Sequence, residues 1–151
     1  MKLSREEAMD KREKQGKFIP VDLPPILLKD VKDKKYPYKK HTNEDYKGYF
    51  LFGPSGVGKS YQAACLMNDI SKSRNSKGYW ANVPKLLERI KASYRNNEGM
   101  DIVEEYSTLP IICLDDIGSE QNTSWVMQTL YLIINSRYEN MLTTIITSNL
   151  S

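Results

Sequence analysis

Apolar residues follow two alternating periodicities in the last two thirds of the chain. Residues 49–52 form a short apolar run that ends at a glycine, which is typical of a buried strand. Similar runs, the last of them rich in β-branched residues, predict further strands at 78–83, 111–114 and 143–147. Apolar residues recur at helical spacing between these runs, which predicts helices at 58–74, 84–96, 101–107 and 124–139.

The helical spacing also predicts which side chains enter the core. These are Tyr61, Ala64, Cys65 and Met67 or Asn68 in the first helix, Leu86, Leu87, Ile90 and Tyr94 in the second, and Trp125, Leu130, Tyr131 and Ile134 in the last. Strands that alternate with helices in this way predict an α/β protein with a parallel sheet covered on both faces.

The first 47 residues differ in character from the rest of the chain. Residues 4–15 can form a short charged helix, and residues 16–47 are rich in proline and lysine, which is typical of an irregular linker. We therefore divide the chain into an N-terminal segment, 1–47, and a regular core, 48–151. The basic excess of the chain lies in the N-terminal segment, and a solvated leader explains it more simply than a nucleic-acid-binding arm.

The overall composition is that of a soluble globular protein, with 40% hydrophobic and 27% charged residues among 151. No apolar run approaches the length of a membrane span, and residues 1–16 lack the apolar centre of a secretory signal. We expect a cytoplasmic protein that does not contact a membrane. Cys65 and Cys113 lie in predicted buried elements without a CxxC spacing, so buried reduced thiols are expected.

The strongest chemical signal is a phosphate loop. Gly53-Pro54-Ser55-Gly56-Val57-Gly58-Lys59-Ser60 matches the pattern GxxxxGK[ST] between a predicted strand and a predicted helix. Glycines allow successive N–H groups to point inward around phosphate oxygens, and the helix presents its positive end to the same anion. We predict binding of ATP with Mg²⁺ by Gly53, Pro54, Ser55, Gly56, Val57, Gly58, Lys59, Ser60 and Tyr61. Lys59 is expected at the β and γ phosphates and Ser60 at the metal.

Two carboxylates follow the third predicted strand. Ligands of open α/β sheets lie beyond the carboxyl ends of the strands, so Asp115 and Asp116 are expected on the same edge as the phosphate loop. Asp115 is predicted to hold Mg²⁺, in part through water, and Asp116 to orient or deprotonate the attacking water. Glu120 is a less favoured base. The alternative is that Asp-Asp simply begins a loop.

The fourth predicted strand ends in a polar segment, Thr147-Ser148-Asn149. If this strand inserts between the phosphate loop and the Asp115 strand, Asn149 could hydrogen-bond the γ-phosphate or the attacking water. A simple turn explains Asn149 equally well from local sequence alone.

Four motifs along the chain resemble, in their sequence and their order, those of a known family. The phosphate loop, LDDIGSE (114–120), SWVMQTLYLIINSRYEN (124–140) and TTIITSNLS (143–151) resemble the AAA+ ATPases of bacterial replicative-helicase loaders of the DnaC/DnaI type. The related transposition ATPases of the IstB type share the pattern. The resemblance covers about residues 48–151 and implies a P-loop ATPase of the additional-strand class. It implies a three-layer sandwich with strand order 1-4-3-2, and a sensor role for Asn149.

The resemblance also implies features that this sequence lacks. Glutamate is the commoner residue at the position of Asp116 in related ATPases, and aspartate is one methylene shorter. An arginine that completes a neighbour's ATP site, a further C-terminal strand and a helical lid would all lie beyond Ser151. Arg137 precedes the sensor strand and does not occupy the arginine's position.

We therefore expect this chain to bind ATP, hydrolyse it poorly and remain mainly monomeric, with self-assembly in a longer protein. If the chain itself assembles with ATP, Arg137 is the first suspect to complete the site.

The second predicted helix carries basic residues. Lys85, Arg89, Lys91 and Arg95 stand against Glu88, and the resemblance aligns this helix with the single-stranded DNA path of helicase loaders. A solvated helix face is an equally good interpretation.

The leading functional hypothesis is an ATP switch that acts on a replicative DNA helicase and single-stranded DNA. The alternatives are an IstB-type transposition ATPase, a small-molecule kinase and a non-catalytic nucleotide-dependent adaptor. The kinase is disfavoured because the chain has no evident arginine-rich lid.

Overall fold

The computed structural model describes residues 48–96, 99–118 and 123–149. The predicted helix at 4–15, the linker at 16–47 and Glu120 lie outside the described residues. The division of the chain at residue 48 accordingly stays a prediction.

Strands and helices alternate along the core in the predicted order. Their bounds are β1 Gly48–Phe52, α1 Lys59–Arg74, β2 Gly78–Asn82, α2 Val83–Ser93, α3 Gly99–Thr108, β3 Ile111–Ile117, α4 Ser124–Glu139 and β4 Thr143–Ser148. A 3-10 turn, Tyr94–Asn96, follows α2 and completes the predicted helix 84–96. Every predicted core element is therefore present, and the largest difference is the three-residue extension of β3 beyond Leu114.

The four strands form one parallel sheet in the order β1-β4-β3-β2. β4 lies between β1 and β3, with Ile145 opposite both Tyr49 and Cys113. This is the predicted strand order 1-4-3-2. Because parallel strands end at the same edge, the insertion brings the end of β4 between the phosphate loop and the end of β3.

Helices cover both faces of the sheet and divide the core in two. On one face, α1 packs on Trp80, Ile111, Cys113 and Ile145. On the other face, α2, α3 and α4 pack on a cluster that contains Ala81, Ile112 and Leu114. The arrangement is the predicted three-layer sandwich. Among the described helices, none has the length and apolarity that crossing a membrane requires.

Side-chain caps define the starts of two helices. The Asn82 side chain accepts a hydrogen bond from the Lys85 N–H at 3.2 Å, with Pro84 in the first turn of α2. Thr123 caps α4 in the same way through the Val126 N–H at 3.2 Å. In contrast, α1 begins after Gly58, which has no side chain to offer.

The inward face of α4 differs from the sequence prediction. Tyr131 was expected in the core but is 65% exposed. The buried positions are instead Val126, Thr129, Leu130, Ile133 and Arg137. The prediction selected large apolar residues, whereas the buried positions follow one another at helical spacing along a single face of α4 and include a threonine and an arginine. Tyr94, also predicted in the core, lies partly exposed against the edge of Trp125.

β1 is covered on one face only among the described residues. Tyr49 and Leu51 pack on the α1 side of the sheet. Because strand side chains alternate, Phe50 and Phe52 point to the opposite face, where both are exposed and stack with ring centroids 5.6 Å apart.

Candidate nucleotide site

The phosphate loop connects the end of β1 to the start of α1. Three of its glycines have positive φ values, 147° at Gly53, 83° at Gly56 and 88° at Gly58. A side chain at these positions would strain the backbone, which explains the two glycines that the motif specifies, Gly53 and Gly58, and the additional glycine, Gly56. The loop backbone thus has the shape in which N–H groups can converge on an anion.

The N-terminus of α1 has no side-chain cap from Gly58, and the first turn of the helix contains no acidic residue. The first N–H groups of a helix have no partner within the helix and carry its partial positive charge. An anion placed in the loop would meet both.

Lys59 folds back over the loop that precedes it. Its Nζ donates to the carbonyl oxygens of Gly53 at 2.7 Å and Pro54 at 2.6 Å. An ammonium carries three N–H donors, so it can hold the loop and contact a phosphate oxygen together. The structure therefore places the lysine charge inside the loop.

The end of β3 meets the phosphate loop through a hydroxyl. Ser60 Oγ donates to Asp115 Oδ1 at 2.8 Å, across 55 positions of sequence. The same carboxylate oxygen accepts from Thr147 Oγ1 at 2.7 Å. Asp115 is buried, so these bonds replace the hydration that burial removes. A hydroxyl and a carboxylate side by side are the oxygen donors that Mg²⁺ prefers.

Asp116 lies at a β-bulge and has an unusual backbone. Leu114 pairs with Ile146 and Ile117 pairs with Ser148, so β3 contains one more residue than β4 in this interval. Asp116 has a φ of 64°, a left-handed conformation that aspartate tolerates better than most residues. Asn149 Nδ2 donates to Asp116 Oδ1 at 3.1 Å. The two predicted catalytic side chains are therefore in contact.

The sequence prediction ended the strand before the two aspartates, and this boundary was wrong. β3 continues through the bulge to Ile117 because side chains of β4 hold it. Thr147 Oγ1 accepts from the Asp116 N–H at 2.9 Å, and Ser148 Oγ donates to the Ile117 carbonyl at 2.9 Å.

Ser148 also joins β4 to the phosphate loop. Its carbonyl oxygen accepts from the Gly53 N–H at 3.3 Å, at the start of the loop. Residues 147–149 thus link the loop, the Asp115 carboxylate and the bulge. Of the three residues, only Asn149 is predicted from the sequence to belong to the site, although the polar ending of a β-branched strand is a signal that all three share.

Burial controls the chemistry of the thiols. Cys65 and Cys113 are buried reduced thiols, as predicted. Burial, and secondarily the nearby Asp115 carboxylate, raises the pKa of the Cys113 thiol well above its ordinary value. Cys113 therefore stays a neutral core residue next to the site and is no nucleophile.

Arg137 is a structural residue far from this edge. It is fully buried and donates from Nε to Thr144 Oγ1 at 2.9 Å, and from Nη2 to the Thr143 carbonyl at 2.8 Å. Its Nη1 donates to the carbonyls of Tyr106 at 2.9 Å and Leu109 at 2.6 Å. Thr143 begins β4, whereas the nucleotide site lies at the end of β4. The guanidinium would have to leave these four acceptors to contact a neighbouring subunit, so a role of Arg137 in a neighbour's site stays a prediction.

The predicted basic residues are exposed but do not form one line. Arg89 is directed toward the Tyr106 hydroxyl at 3.5 Å, and Lys91 lies 5.8 Å from the centre of the Trp125 ring. Lys85 and Arg95 are exposed near the two ends of the same region. Tyr61, predicted to contact the nucleotide, packs partly against the α1 core cluster.

Comparison with curated proteins gives relatives from replication and from insertion sequences. The replicative helicase loader DnaI of Bacillus subtilis (strain 168) is 31% identical over 106 residues, which cover 70% of this chain and 34% of DnaI. The putative ATP-binding protein of insertion sequence IS232 of Bacillus thuringiensis subsp. berliner is 27% identical over 108 residues, which cover 72% of this chain and 42% of that protein. The chain thus spans about a third to two fifths of these relatives.

Solved structures show the same fold. The DnaC helicase loader superimposes with a TM-score of 0.64 and 28% identity, over 83% of this chain and 67% of that one. The replication initiator DnaA bound to AMPPCP and single-stranded DNA gives a TM-score of 0.62 at 14% identity, over 83% of this chain and 36% of DnaA, a likeness of fold alone.

A family comparison extends over most of the chain. The family described as IstB-like ATP binding protein matches residues 40–151, which include the phosphate loop, both aspartates and the end of β4. With the AAA+ sheet order and the likeness to DnaI and DnaC, the chain belongs to the IstB-like ATP-binding proteins, the AAA+ family that the sequence motifs resemble.

Proposed function

We propose that this protein binds ATP with Mg²⁺ and acts as a nucleotide switch of the helicase-loader type. One observation carries the proposal. A continuous series of hydrogen bonds runs from Ser60 through Asp115 and Thr147 to the backbone of Asp116. It joins the phosphate loop to the acidic end of β3, the two parts that hold the phosphates and the metal in P-loop ATPases.

Each part of the site has a distinct role in this proposal. The loop N–H groups and Lys59 bind the phosphates, and the oxygens of Ser60 and Asp115 hold the metal. Mg²⁺, when bound, neutralises charge on the phosphates. Asn149 contacts the γ-phosphate or the water beside it, and supports Asp116 through their hydrogen bond.

Hydrolysis requires a base at the end of β3. Water attacks the γ-phosphorus, the bond to the bridging oxygen of ADP breaks, and the proton of the water passes to the Asp116 carboxylate. Aspartate reaches less far than glutamate, and Arg137 is buried at the start of β4, whereas the nucleotide site lies at the end of β4. We therefore propose slow hydrolysis by this chain alone, suited to a switch.

The two aspartates are expected to differ when each is changed to asparagine. Asp116→Asn keeps ATP affinity within about threefold but lowers hydrolysis by roughly a hundredfold, because the amide cannot accept the proton. Asp115→Asn raises the Mg²⁺ concentration needed for tight ATP binding by about tenfold, because an anionic metal partner is lost.

Fluorescent-nucleotide titrations over a series of Mg²⁺ concentrations, with single-turnover phosphate release, measure both effects. Equal hydrolysis by Asp116→Asn and the unchanged protein would assign the base elsewhere, and Glu120→Gln is then the next variant. Identical Mg²⁺ curves for Asp115→Asn would remove Asp115 from the metal site.

The proposed partners are a replicative DNA helicase and single-stranded DNA. The proposal is supported by the likeness to DnaI at 31% identity and to DnaC at 28% identity. Exposed Lys85 and Arg89 lie one helical turn apart on α2, where two positive charges can contact neighbouring phosphates. A second candidate, an accessory ATPase in transposition that handles duplex DNA, is favoured by the match to the IstB-like family and by the IS232 relative.

Binding experiments separate the two functions. We expect the protein with ATP and Mg²⁺ to co-elute with the replicative helicase of its host, and to bind an oligo-dT strand more tightly than a duplex of equal length. Lys85→Glu with Arg89→Glu is expected to weaken strand binding by about tenfold and to reduce its salt dependence. Lys72→Glu, an exposed change on α1, is the matched control and should bind normally.

Preference for the duplex and no co-elution with the helicase would favour the transposition ATPase. Unchanged strand binding by the double variant would move the nucleic-acid surface away from α2.

A further inference from the structure

We infer that Thr147 is a positioning residue for ATP hydrolysis, whose hydroxyl fixes the Asp116 backbone so that its carboxylate is correctly placed. The inference rests on the proposed function of Asp116 as the base. Thr147 is on β4, two residues before Asn149, and its side chain is 2% exposed.

The hydrogen bonds of Thr147 have only one possible direction. A carboxylate only accepts and a backbone N–H only donates. The Thr147 hydroxyl proton therefore points to Asp115 Oδ1 at 2.7 Å, and its oxygen accepts from the Asp116 N–H at 2.9 Å. One buried hydroxyl thus binds the metal-site carboxylate and the backbone of the proposed base at once.

The Asp116 backbone needs such support. A non-glycine residue with a φ of 64° is in a sparsely populated conformation that persists where its surroundings hold it. Thr147 holds the N–H of Asp116, and Ser148 holds the carbonyl of the next residue, Ile117, at 2.9 Å. Consecutive residues of β4 therefore brace the bulge on both sides of Asp116.

The bulge determines where the second carboxylate lies. In a regular strand, successive side chains point to opposite faces of the sheet. The extra residue of β3 in this interval interrupts the alternation and redirects Asp116, whose carboxylate then meets Asn149 at 3.1 Å. Without the Thr147 hydroxyl, the hydrogen bond that holds the Asp116 N–H to β4 is lost, and the bulge that directs the carboxylate is less well fixed.

Thr147 is expected to affect hydrolysis and not nucleotide binding. A small displacement of a base lowers the rate steeply, whereas the phosphate loop and Lys59 provide the affinity. Thr147→Val has nearly the same shape but no hydroxyl, and Thr147→Ser restores the hydroxyl. This pair separates the hydrogen bonds from the packing.

The test compares these two variants with the unchanged protein in single-turnover ATP hydrolysis, fluorescent-nucleotide binding and hydrogen exchange of the Asp116 amide by nuclear magnetic resonance. For Thr147→Val we expect hydrolysis to fall by roughly tenfold to a hundredfold. Its ATP affinity should stay within about threefold, and the Asp116 amide should exchange at least about tenfold faster. Thr147→Ser is expected to stay within about threefold in all three measurements.

A cycle with Asp116→Asn tests whether Thr147 acts through Asp116. In that background, Thr147→Val should lower hydrolysis no further, because the base is already absent. An additive loss, unchanged hydrolysis in Thr147→Val, or equal losses in the valine and serine variants would each overturn the inference.

If the proposed function is wrong, these measurements give a different result from the one that overturns the role of Thr147. If the unchanged protein binds ATP but hydrolyses none, the base role of Asp116 is wrong. The exchange of the Asp116 amide then decides whether Thr147 holds this backbone: faster exchange in the valine variant supports the hydrogen bond, and unchanged exchange overturns it.

Discussion

Lys59→Ala is expected to weaken ATP binding by at least about a hundredfold while the protein stays folded. Lys59 places its ammonium inside the phosphate loop, where it donates to the carbonyls of Gly53 and Pro54. A hydrogen bond to a charged group contributes about 1.5–3 kcal/mol. The variant loses the contact of the third N–H with a phosphate oxygen and also the two bonds that hold the loop in its binding conformation, which together correspond to about a hundredfold or more in affinity. Titration with a fluorescent ATP analogue in Mg²⁺ measures the loss.

Two controls make this result specific. Lys72→Ala removes an exposed lysine from the other end of α1 and should bind ATP normally. Circular dichroism of Lys59→Ala should match that of the unchanged protein, because few buried contacts depend on this side chain. The affinity for AMP should fall much less than that for ATP, since Lys59 is assigned to the β and γ phosphates. Normal ATP affinity in the folded variant would show that the loop at residues 53–60 does not bind the ATP phosphates through Lys59.

Local patterns predict the elements and the phosphate loop well because both are determined by neighbouring residues. The loop requires glycines at fixed offsets, and its conformation has positive φ at the glycines that the motif specifies. The strand order was implied by the family resemblance and not by periodicity, because the pairing of β1 with β4 joins residues nearly a hundred positions apart.

The parts that sequence reasoning missed depend on contacts between distant residues. Thr147 and Ser148 look like the end of an ordinary strand, and their importance comes from hydrogen bonds to residues more than 30 positions away. The extension of β3 has the same origin, because the bulge exists only where β4 supplies its partners. Such contacts leave no periodic signal in the sequence.

Arg137 shows the same limit in the core. An arginine in a helix is normally placed on the solvent side, yet here it takes one of the buried positions on α4. Its acceptors are a threonine hydroxyl and three backbone carbonyls, which lie near the end of α3 and at the start of β4. Carbonyl groups are present at every residue, so no side-chain pattern indicates where they converge.

Arg137 is expected to be the largest single contributor to stability among the charged side chains of the described core. Burial lowers the pKa of its guanidinium to about 10, so the group remains protonated at neutral pH. The charge stays buried because the four acceptors compensate its lost hydration. Replacing it with alanine leaves a cavity and deprives the carbonyls of Tyr106, Leu109 and Thr143 of this donor.

We therefore expect Arg137→Ala to lower the free energy of unfolding by about 3–5 kcal/mol. Domains of this kind are stable by only about 5–15 kcal/mol, so the variant should unfold at a much lower urea concentration. Arg137→Lys should recover only part of the loss, because one ammonium cannot reach acceptors on both α3 and β4. The exposed Arg95→Ala is the matched control and should change stability by less than about 0.5 kcal/mol.

Two measurements distinguish an arginine that only stabilises the fold from one that serves a neighbouring site. The first is urea unfolding followed by circular dichroism. The second is light scattering at several protein concentrations, with and without a non-hydrolysable ATP analogue. If Arg137 only stabilises the fold, Arg137→Ala should shift the unfolding midpoint strongly and leave assembly unchanged. The guanidinium lies at the start of β4, roughly 16 Å along the strand from its carboxyl end, where the nucleotide site lies. An arginine that contacts a neighbour's γ-phosphate predicts the reverse. Normal stability of Arg137→Ala, with loss of an ATP-dependent oligomer that the unchanged chain forms, would show that Arg137 leaves its buried position in the assembled state.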